Sequence, residues 1–284
     1  MRRIKALFLA VVLIFVAGYG YQFYDRQFRP ANIKFEVLAE LSSRPAPEEE
    51  ALLAEVFSQE FSYLDRGKQS FVFLSKDGNT ILKFFDAHVL KVHPFFSDTS
   101  EVESMHRKVE GLFEGYRIAY TEDRENSGLL YVSLGTNSQL PYIVTVRDRF
   151  GVAYQIALNS VPFILQAKAV PTRRVISDLL FKRDIVGAKQ RLEQILKMYL
   201  EGYQKGLYDD DHNFMYNTGF IGERPIRIDS GRLQAGEAFK EKSFYEKDLE
   251  KIVFVRLSGW LQRHFPSCRD EIMKDIEIKI RTSL

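Results

Sequence analysis

The chain has 284 residues, of which 45% are hydrophobic and 27% are charged. This composition suffices for a sizeable core and excludes intrinsic disorder as the main state, because disorder combines low hydrophobicity with high net charge. A formal net charge of +2 argues against a dedicated nucleic-acid-binding protein, which carries a strong basic excess. The single cysteine, Cys268, excludes an internal disulfide framework and a cysteine-rich zinc module.

The chain begins with a basic cluster followed by an apolar run. Arg2, Arg3 and Lys5 precede residues 6–18, which read ALFLAVVLIFVAG. A charged segment before an apolar one is typical of a signal anchor and of a cleaved signal peptide. We predict that residues 1–25 form a transmembrane signal helix, single-pass with the N-terminus in the cytoplasm. The alternatives are a protein secreted after signal cleavage and a buried core helix.

Residues 26–60 are predicted to be a linker with a short helix, because prolines at 45 and 47 precede three glutamates that favour a first helical turn. Residues 61–170 follow as a β-rich lobe. Within it, Lys76–Asn79 predicts a hairpin turn, and helical spacing of apolar residues predicts a helix from Asp98 to about Tyr120. The predicted strands are 61–64, 70–75, 80–85, 129–134, 142–147, 152–158 and 163–165.

The period of the apolar residues becomes helical from about residue 171. The predicted helices cover 174–181, 185–203, 242–265 and 269–281, and a turn-rich segment occupies 206–231. Residues 171–284 are therefore predicted to be a helical lobe. The chain as a whole is predicted to be an α+β protein with an N-terminal β-rich lobe and a C-terminal helical lobe.

Three separated segments carry residue types that suit phosphate chemistry. In the first, Gly67 lies in a turn between two strands, where the backbone can approach phosphates, and Lys83 lies inside an apolar strand. A lysine in such a strand is costly unless its amine reaches a partner, so it is a candidate for holding phosphates; an edge-strand lysine that reaches water is the alternative.

The second segment, residues 206–217, reads GLYDDDHNFMYN, and the third, residues 226–233, reads IRIDSGRL. In phosphoryl transfer one carboxylate orients the attacking hydroxyl, while an asparagine and a second aspartate hold the metal. Asp211, Asn217 and Asp229 fit these three roles. In isolation, each segment is equally consistent with a solvated acidic loop or an ordinary strand end.

Together the three segments resemble the protein-kinase-like superfamily, with Asp229–Gly231 in the place of its Asp-Phe-Gly turn. The phrases LKFF, FILQAKA and NTGFIGERPIRIDSGR are similar to kinase-like proteins of chlamydia-related bacteria. The resemblance implies a bilobal kinase-like fold and binding of ATP with Mg²⁺. It also implies that residues 163–169, with Gln166, form the hinge that contacts adenine.

Two departures from the family pattern concern single residues. The residue five positions before Asn217 is His212, so Asp211 is displaced by one position from the kinase spacing. The family also pairs the strand lysine with a helix glutamate, for which the sequence offers Glu101, Glu103, Glu110 and Glu114. We predict Glu110, because it lies near the margin of the buried helix face.

These observations predict a membrane-anchored or exported kinase-like enzyme with Lys83 and Asp211 as catalytic residues. Gly67, Lys83, Glu110 and Gln166 would bind the nucleotide, and Asn217 and Asp229 the metal. The acceptor would be an unidentified protein or lipid, and no nucleic acid is expected as a partner. The alternative is a pseudokinase that serves as a binding or scaffold module, which the displaced loop spacing favours, as does the scarcity of ATP outside the cytoplasm. An unrelated α+β protein is the remaining alternative.

Overall fold

The structure, a computed structural model, describes residues 10–16, 28–35, 45–90 and 99–283. Most of the predicted signal helix therefore lies outside the described residues. Residues 10–16 are helical (α1), and the side chains from Val11 to Val16 are 38–75% exposed. Within the described ranges, no helix is both long and apolar enough to cross a membrane, so the transmembrane prediction is not supported there.

A seven-stranded sheet forms the β-rich lobe. Its strands are β1 Glu60–Arg66, β2 Ser70–Ser75, β3 Thr80–Phe85, β4 Leu129–Ser133, β5 Ile143–Arg147, β6 Ala153–Ala157 and β7 Phe163–Ala167. Across the sheet the strands lie in the order β4-β7-β3-β2-β1-β5-β6. All neighbours are antiparallel except β1 and β5, which run parallel. The helix α2, Pro47–Phe57, packs its buried residues against the buried side chains of this sheet.

The central strands follow directly from the sequence pattern. Buried and half-buried residues alternate along β2, whereas β3, in the middle of the sheet, is buried at every position except Lys83. The turn between them is fixed by Asp77, whose carboxylate accepts hydrogen bonds from the hydroxyl of Ser75 and the backbone N–H of Asn79. These strands therefore hold Lys83 at a defined position in the sheet.

One long helix, α3, Thr99–Glu122, lies against the sheet and is followed by the short α4, Arg124–Ser127. Its side chains Leu112, Tyr116 and Ala119 form a cluster with Phe85 and Leu233. Leu233 belongs to the helical part of the chain, so this cluster joins the sheet to that part.

The rest of the chain is mostly helical. Its helices are α5 Thr172–Phe181, α6 Ile185–Gln204, α7 Phe214–Asn217, α8 Lys242–Glu250, α9 Ser258–His264 and α10 Pro266–Ser283. A π-helical segment, Lys251–Leu257, joins α8 to α9. Short strands frame the turn-rich segment: β8 Val170–Pro171, β9 Leu207–Asp209, β10 Thr218–Ile221, β11 Arg224–Arg227 and β12 Leu233–Ala235. The predicted combination of a sheet lobe with a helical lobe is thus confirmed.

Candidate functional site

Lys83 is a residue of the sheet whose side chain reaches the helical part of the chain. It is half-buried on β3, and its amine donates a hydrogen bond to the backbone carbonyl of Ile228. Burial lowers the pKa of Lys83, and the neighbouring Asp229 carboxylate opposes that shift. Two of the three predicted segments therefore meet in the structure: the strand that contains Lys83 and the turn that contains Asp229.

Asp229 follows β11 and is exposed, which leaves its carboxylate accessible. Its Oδ1 accepts hydrogen bonds from the hydroxyl of Tyr116 at 3.0 Å and from the backbone N–H of Gly231 at 3.2 Å. Burial and the carboxylate of Asp229 raise the pKa of the Tyr116 hydroxyl well above its ordinary value. One oxygen of Asp229 is thus fixed by two donors, and Oδ2 accepts no hydrogen bond from the described residues.

Asn217 lies beside Asp229, because the two segments are joined through the backbone. The Asn217 carbonyl accepts hydrogen bonds from the N–H groups of Ile228 at 2.8 Å and Asp229 at 3.3 Å. Within the described residues, the half-buried side chain of Asn217 takes part in no hydrogen bond. A carboxylate oxygen and an amide oxygen suit Mg²⁺, which uses one or two protein ligands together with phosphates and water. No cluster of three or more histidine, cysteine or acidic residues suited to a metal occurs among the described residues.

The acidic loop that precedes Asn217 is held by hydrogen bonds between its own carboxylates and its own backbone N–H groups. The carboxylate of Asp209 accepts from the N–H of Asp211 at 3.0 Å, and the carboxylate of Asp211 accepts from the N–H of Asn213 at 3.1 Å. Leu233 of β12 pairs with Asp209 of β9, so the loop and the strand after the Asp229 turn are neighbours. The structure therefore brings half-buried Asp211 to the same region as Asn217 and Asp229.

Asp209 is buried, and its Oδ2 has no hydrogen-bond partner among the described residues. Burial raises the pKa of its carboxyl to about 7, although Arg227 acts in the opposite direction, and the charges of Asp229 and Asp211 add to the increase. Asp209 is therefore a carboxyl that can hold a proton near neutral pH.

His212 faces the helical core. Its Nε2 forms a hydrogen bond with Asp248 of α8, and Asp248 also accepts a hydrogen bond from the hydroxyl of Tyr203 on α6. His212 and Asp248 are 14% and 4% exposed, so the contact is largely shielded from water. His212, which lies five positions before Asn217, thus anchors the loop to α8. Asp211, the residue before His212, is the neighbouring carboxylate in the loop.

Two predicted nucleotide contacts are placed differently from the prediction. Glu110 is exposed on α3, and within the described residues it makes no ion pair with Lys83. Gln166 is buried, and its side-chain amide donates to the carbonyls of Ser127 at 2.7 Å and Arg227 at 3.1 Å. Its amide N–H groups therefore tie β7 to the segments that contain Ser127 and Arg227, and a contact of Gln166 with adenine stays a prediction.

Gly67 lies in the exposed turn between β1 and β2, where its N–H donates to the carbonyl of Ser70 at 2.9 Å. Arg66 forms an ion pair with Asp86, which directly follows β3, and this contact fixes the turn beside the end of the Lys83 strand. The predicted glycine turn thus belongs to the hairpin that neighbours Lys83, since Val72 of β2 pairs with Lys83.

A buried ion pair lies behind the site, and sequence reasoning did not identify it. Arg227, which is 1% exposed, pairs with buried Asp123, which directly follows α3. Lys205, which directly follows α6, reaches the same carboxylate at 3.0 Å. The Arg227 guanidinium lies 5.3 Å from the ring centroid of Tyr199. The cluster connects α3, α6 and the strand that leads to Asp229.

Solved structures provide a comparison at the level of the fold. The chain is similar to the bifunctional kinase-methyltransferase WbdD, with a TM-score of 0.38, 12% identity, and coverage of 65% of this chain and 34% of that one. It is also similar to ADP-bound aminoglycoside phosphotransferase APH(2'')-Ib, with a TM-score of 0.30, 14% identity, and coverage of 84% and 98%. A ternary complex of streptomycin, ATP and APH(2'')-IIa gives a TM-score of 0.28 and 13% identity, over 85% and 97% of the two chains.

The chain spans about a third of the length of WbdD. No protein-family model and no curated protein matches the sequence. The resemblance to the protein-kinase-like superfamily rests on the three sequence segments that carry it. The resemblance to proteins of chlamydia-related bacteria stays a prediction, and the chemistry of the site is argued below from its own geometry.

Proposed function

We propose that this protein binds ATP with Mg²⁺ between its sheet and its helical part and transfers the terminal phosphate to an acceptor hydroxyl. The observation that carries the proposal is the meeting of Lys83, Asn217 and Asp229, which come from three separate segments. A cation, an amide and a carboxylate at one place match what phosphoryl transfer requires. The acceptor, a protein or a lipid, is left open by this set.

Each residue has a defined task in this proposal. The Lys83 amine would hold nucleotide phosphates, and the Asp211 carboxylate would orient the acceptor hydroxyl and take its proton. Asn217 and Asp229 would hold the metal, which supplies neutralisation of the phosphate charge when bound. Gly67 would let the backbone of its turn approach the phosphates.

Nucleotide binding to the full chain tests the proposal. Thermal unfolding with ATP and Mg²⁺ should show stabilisation of about 2.7 kcal/mol at a hundredfold excess of ligand over Kd. Asp229→Asn should remove the dependence on Mg²⁺, whereas Asp270→Asn, which changes an exposed carboxylate in α10, should leave it intact. Absence of any shift at millimolar ATP would contradict the proposed function.

A binding module without catalysis is the second candidate. The loop between Asp209 and Asn217 does not have the kinase spacing, and Lys83 has no helix glutamate as its partner among the described residues. This reading predicts ATP binding without phosphate transfer. Incubation with radiolabelled ATP separates the two: labelled product or released phosphate above that of Asp211→Asn indicates an enzyme, and binding without turnover indicates a pseudokinase.

Membrane attachment is a further part of the proposal. The support is the basic cluster of residues 2–5 and the exposed apolar side chains of helical residues 11–16. The full chain should remain with membranes after alkaline carbonate extraction, and Leu13→Lys combined with Phe15→Lys should release it. Recovery of both proteins in the soluble fraction would contradict the attachment.

A further inference from the structure

The helix α3 contacts the candidate metal residue through a tyrosine. Tyr116 is buried, and its ring packs edge-on against Phe85 with centroids 5.7 Å apart. Its hydroxyl donates to Oδ1 of Asp229 at 3.0 Å. The packing fixes the direction of the ring, so the hydroxyl is held on one oxygen of that carboxylate.

The backbone places Tyr116 there by close approach. Gly115, the preceding residue, comes so near to the turn that an added Cβ would lie 2.7 Å from the carbonyl carbon of Gly231. A larger residue at position 115 would hold the helix away from the turn. The pair of glycines therefore brings the Tyr116 hydroxyl within hydrogen-bonding distance of Asp229.

We propose that Tyr116 is a positioning residue that orients the Asp229 carboxylate for Mg²⁺. In this arrangement α3 contacts the candidate metal ligand Asp229 and does not supply a partner for Lys83. The inference rests on the proposed function. Two donors, Tyr116 and the N–H of Gly231, occupy Oδ1 and leave Oδ2 for the cation. Partners that orient a ligand in this way affect metal affinity by about 10–100-fold when removed.

The test is the Mg²⁺ concentration that gives half of the ATP-dependent thermal shift of the full chain. Tyr116→Phe should raise it about tenfold or more, while ATP affinity in EDTA stays unchanged. The control is Tyr120→Phe, which removes a hydroxyl from the same helix where it donates to Glu49 and not to Asp229. It should leave the Mg²⁺ midpoint unchanged.

Equal midpoints for Tyr116→Phe and the wild type would overturn the inference while leaving the proposed function intact. No ATP binding by the wild type would overturn both. If Tyr116→Phe fails to fold, Tyr116→Met, which keeps an apolar side chain, takes its place. Titration of Mn²⁺ at saturating ATP, followed by electron paramagnetic resonance, provides an independent measure of the metal affinity.

Discussion

Gly115 and Gly231 meet backbone to backbone, so that a Cβ added to Gly115 would lie 2.7 Å from the carbonyl carbon of Gly231 and 2.7 Å from the carbonyl oxygen of Ser230. Real Cβ atoms essentially never come so close to backbone atoms. The contact joins α3 to the turn that contains Asp229, and it makes this part of the site sensitive to single methyl groups.

Gly115→Ala should therefore destabilise the protein by about 1–3 kcal/mol, the range for overpacking, and should weaken Mg²⁺-dependent ATP binding. Gly111→Ala is a matched control on the same helix, because an added Cβ there meets nothing within 4 Å. It should stabilise the helix by about 0.5–1 kcal/mol. Chemical denaturation of both variants measures the difference, and equal stabilities would contradict the close contact.

Lys83→Met should abolish the ATP-dependent thermal shift, because it removes the cation that faces Asp229. The control is Lys76→Met, which changes an exposed lysine at the turn between β2 and β3. That variant should bind ATP as the wild type does. A normal shift in Lys83→Met would show that phosphates bind elsewhere.

Asp209 makes stability depend on pH. Its pKa in the folded protein is about 7 against an ordinary 3.8, so the folded state holds a proton that the unfolded chain releases. Its contribution to stability is complete below about pH 4 and is lost as pH rises to about 7. Asp209→Asn keeps an acceptor for the N–H of Asp211 and carries no charge. It should be more stable than the wild type by about 2–4 kcal/mol at pH 8, with little difference at pH 4. Melting curves across this range check the sign.

Arg227 and Asp123 should be costly to separate, because both are buried. Arg227→Met should destabilise the protein by about 3–5 kcal/mol, since it leaves Asp123 buried with Lys205 as its remaining cation. Lys205→Met removes a second cation from the same carboxylate, but its side chain is 49% exposed, so the loss should be about 1 kcal/mol or less. Similar losses in the two variants would argue against the buried pair as the dominant contact.

Local patterns predicted the elements well. The helix expected from Asp98 to about Tyr120 is observed at Thr99–Glu122, and the helix expected over 185–203 is observed at Ile185–Gln204. These segments have strong periodicity and lie between clear turns. The segment expected to be helical over 242–265 consists of α8, a π-helical segment and α9. The sequence did not reveal the π-helical segment, because a change in the helical hydrogen-bonding pattern leaves the spacing of the apolar residues almost unaltered.

The partners within the site could be predicted only in part. Lys83 and Asp229 were found because each stands out in an apolar strand or at its end. Tyr116 has the spacing of a core residue, and only the packing of α3 against the Asp229 turn gives its hydroxyl a polar partner. The pairing of Asp123 with Arg227 joins residues 104 positions apart, and nothing local distinguishes this arginine from an exposed one.

The buried ion pair at Asp123 also has a mechanical consequence. It ties the C-terminal end of α3 to α6 and β11, while Gly115 and Tyr116 tie the same helix to the Asp229 turn. Tyr116 lies seven residues before Asp123, which corresponds to about 10 Å along a helix. The charges buried behind the site and the hydroxyl that contacts Asp229 are therefore connected by one short stretch of α3.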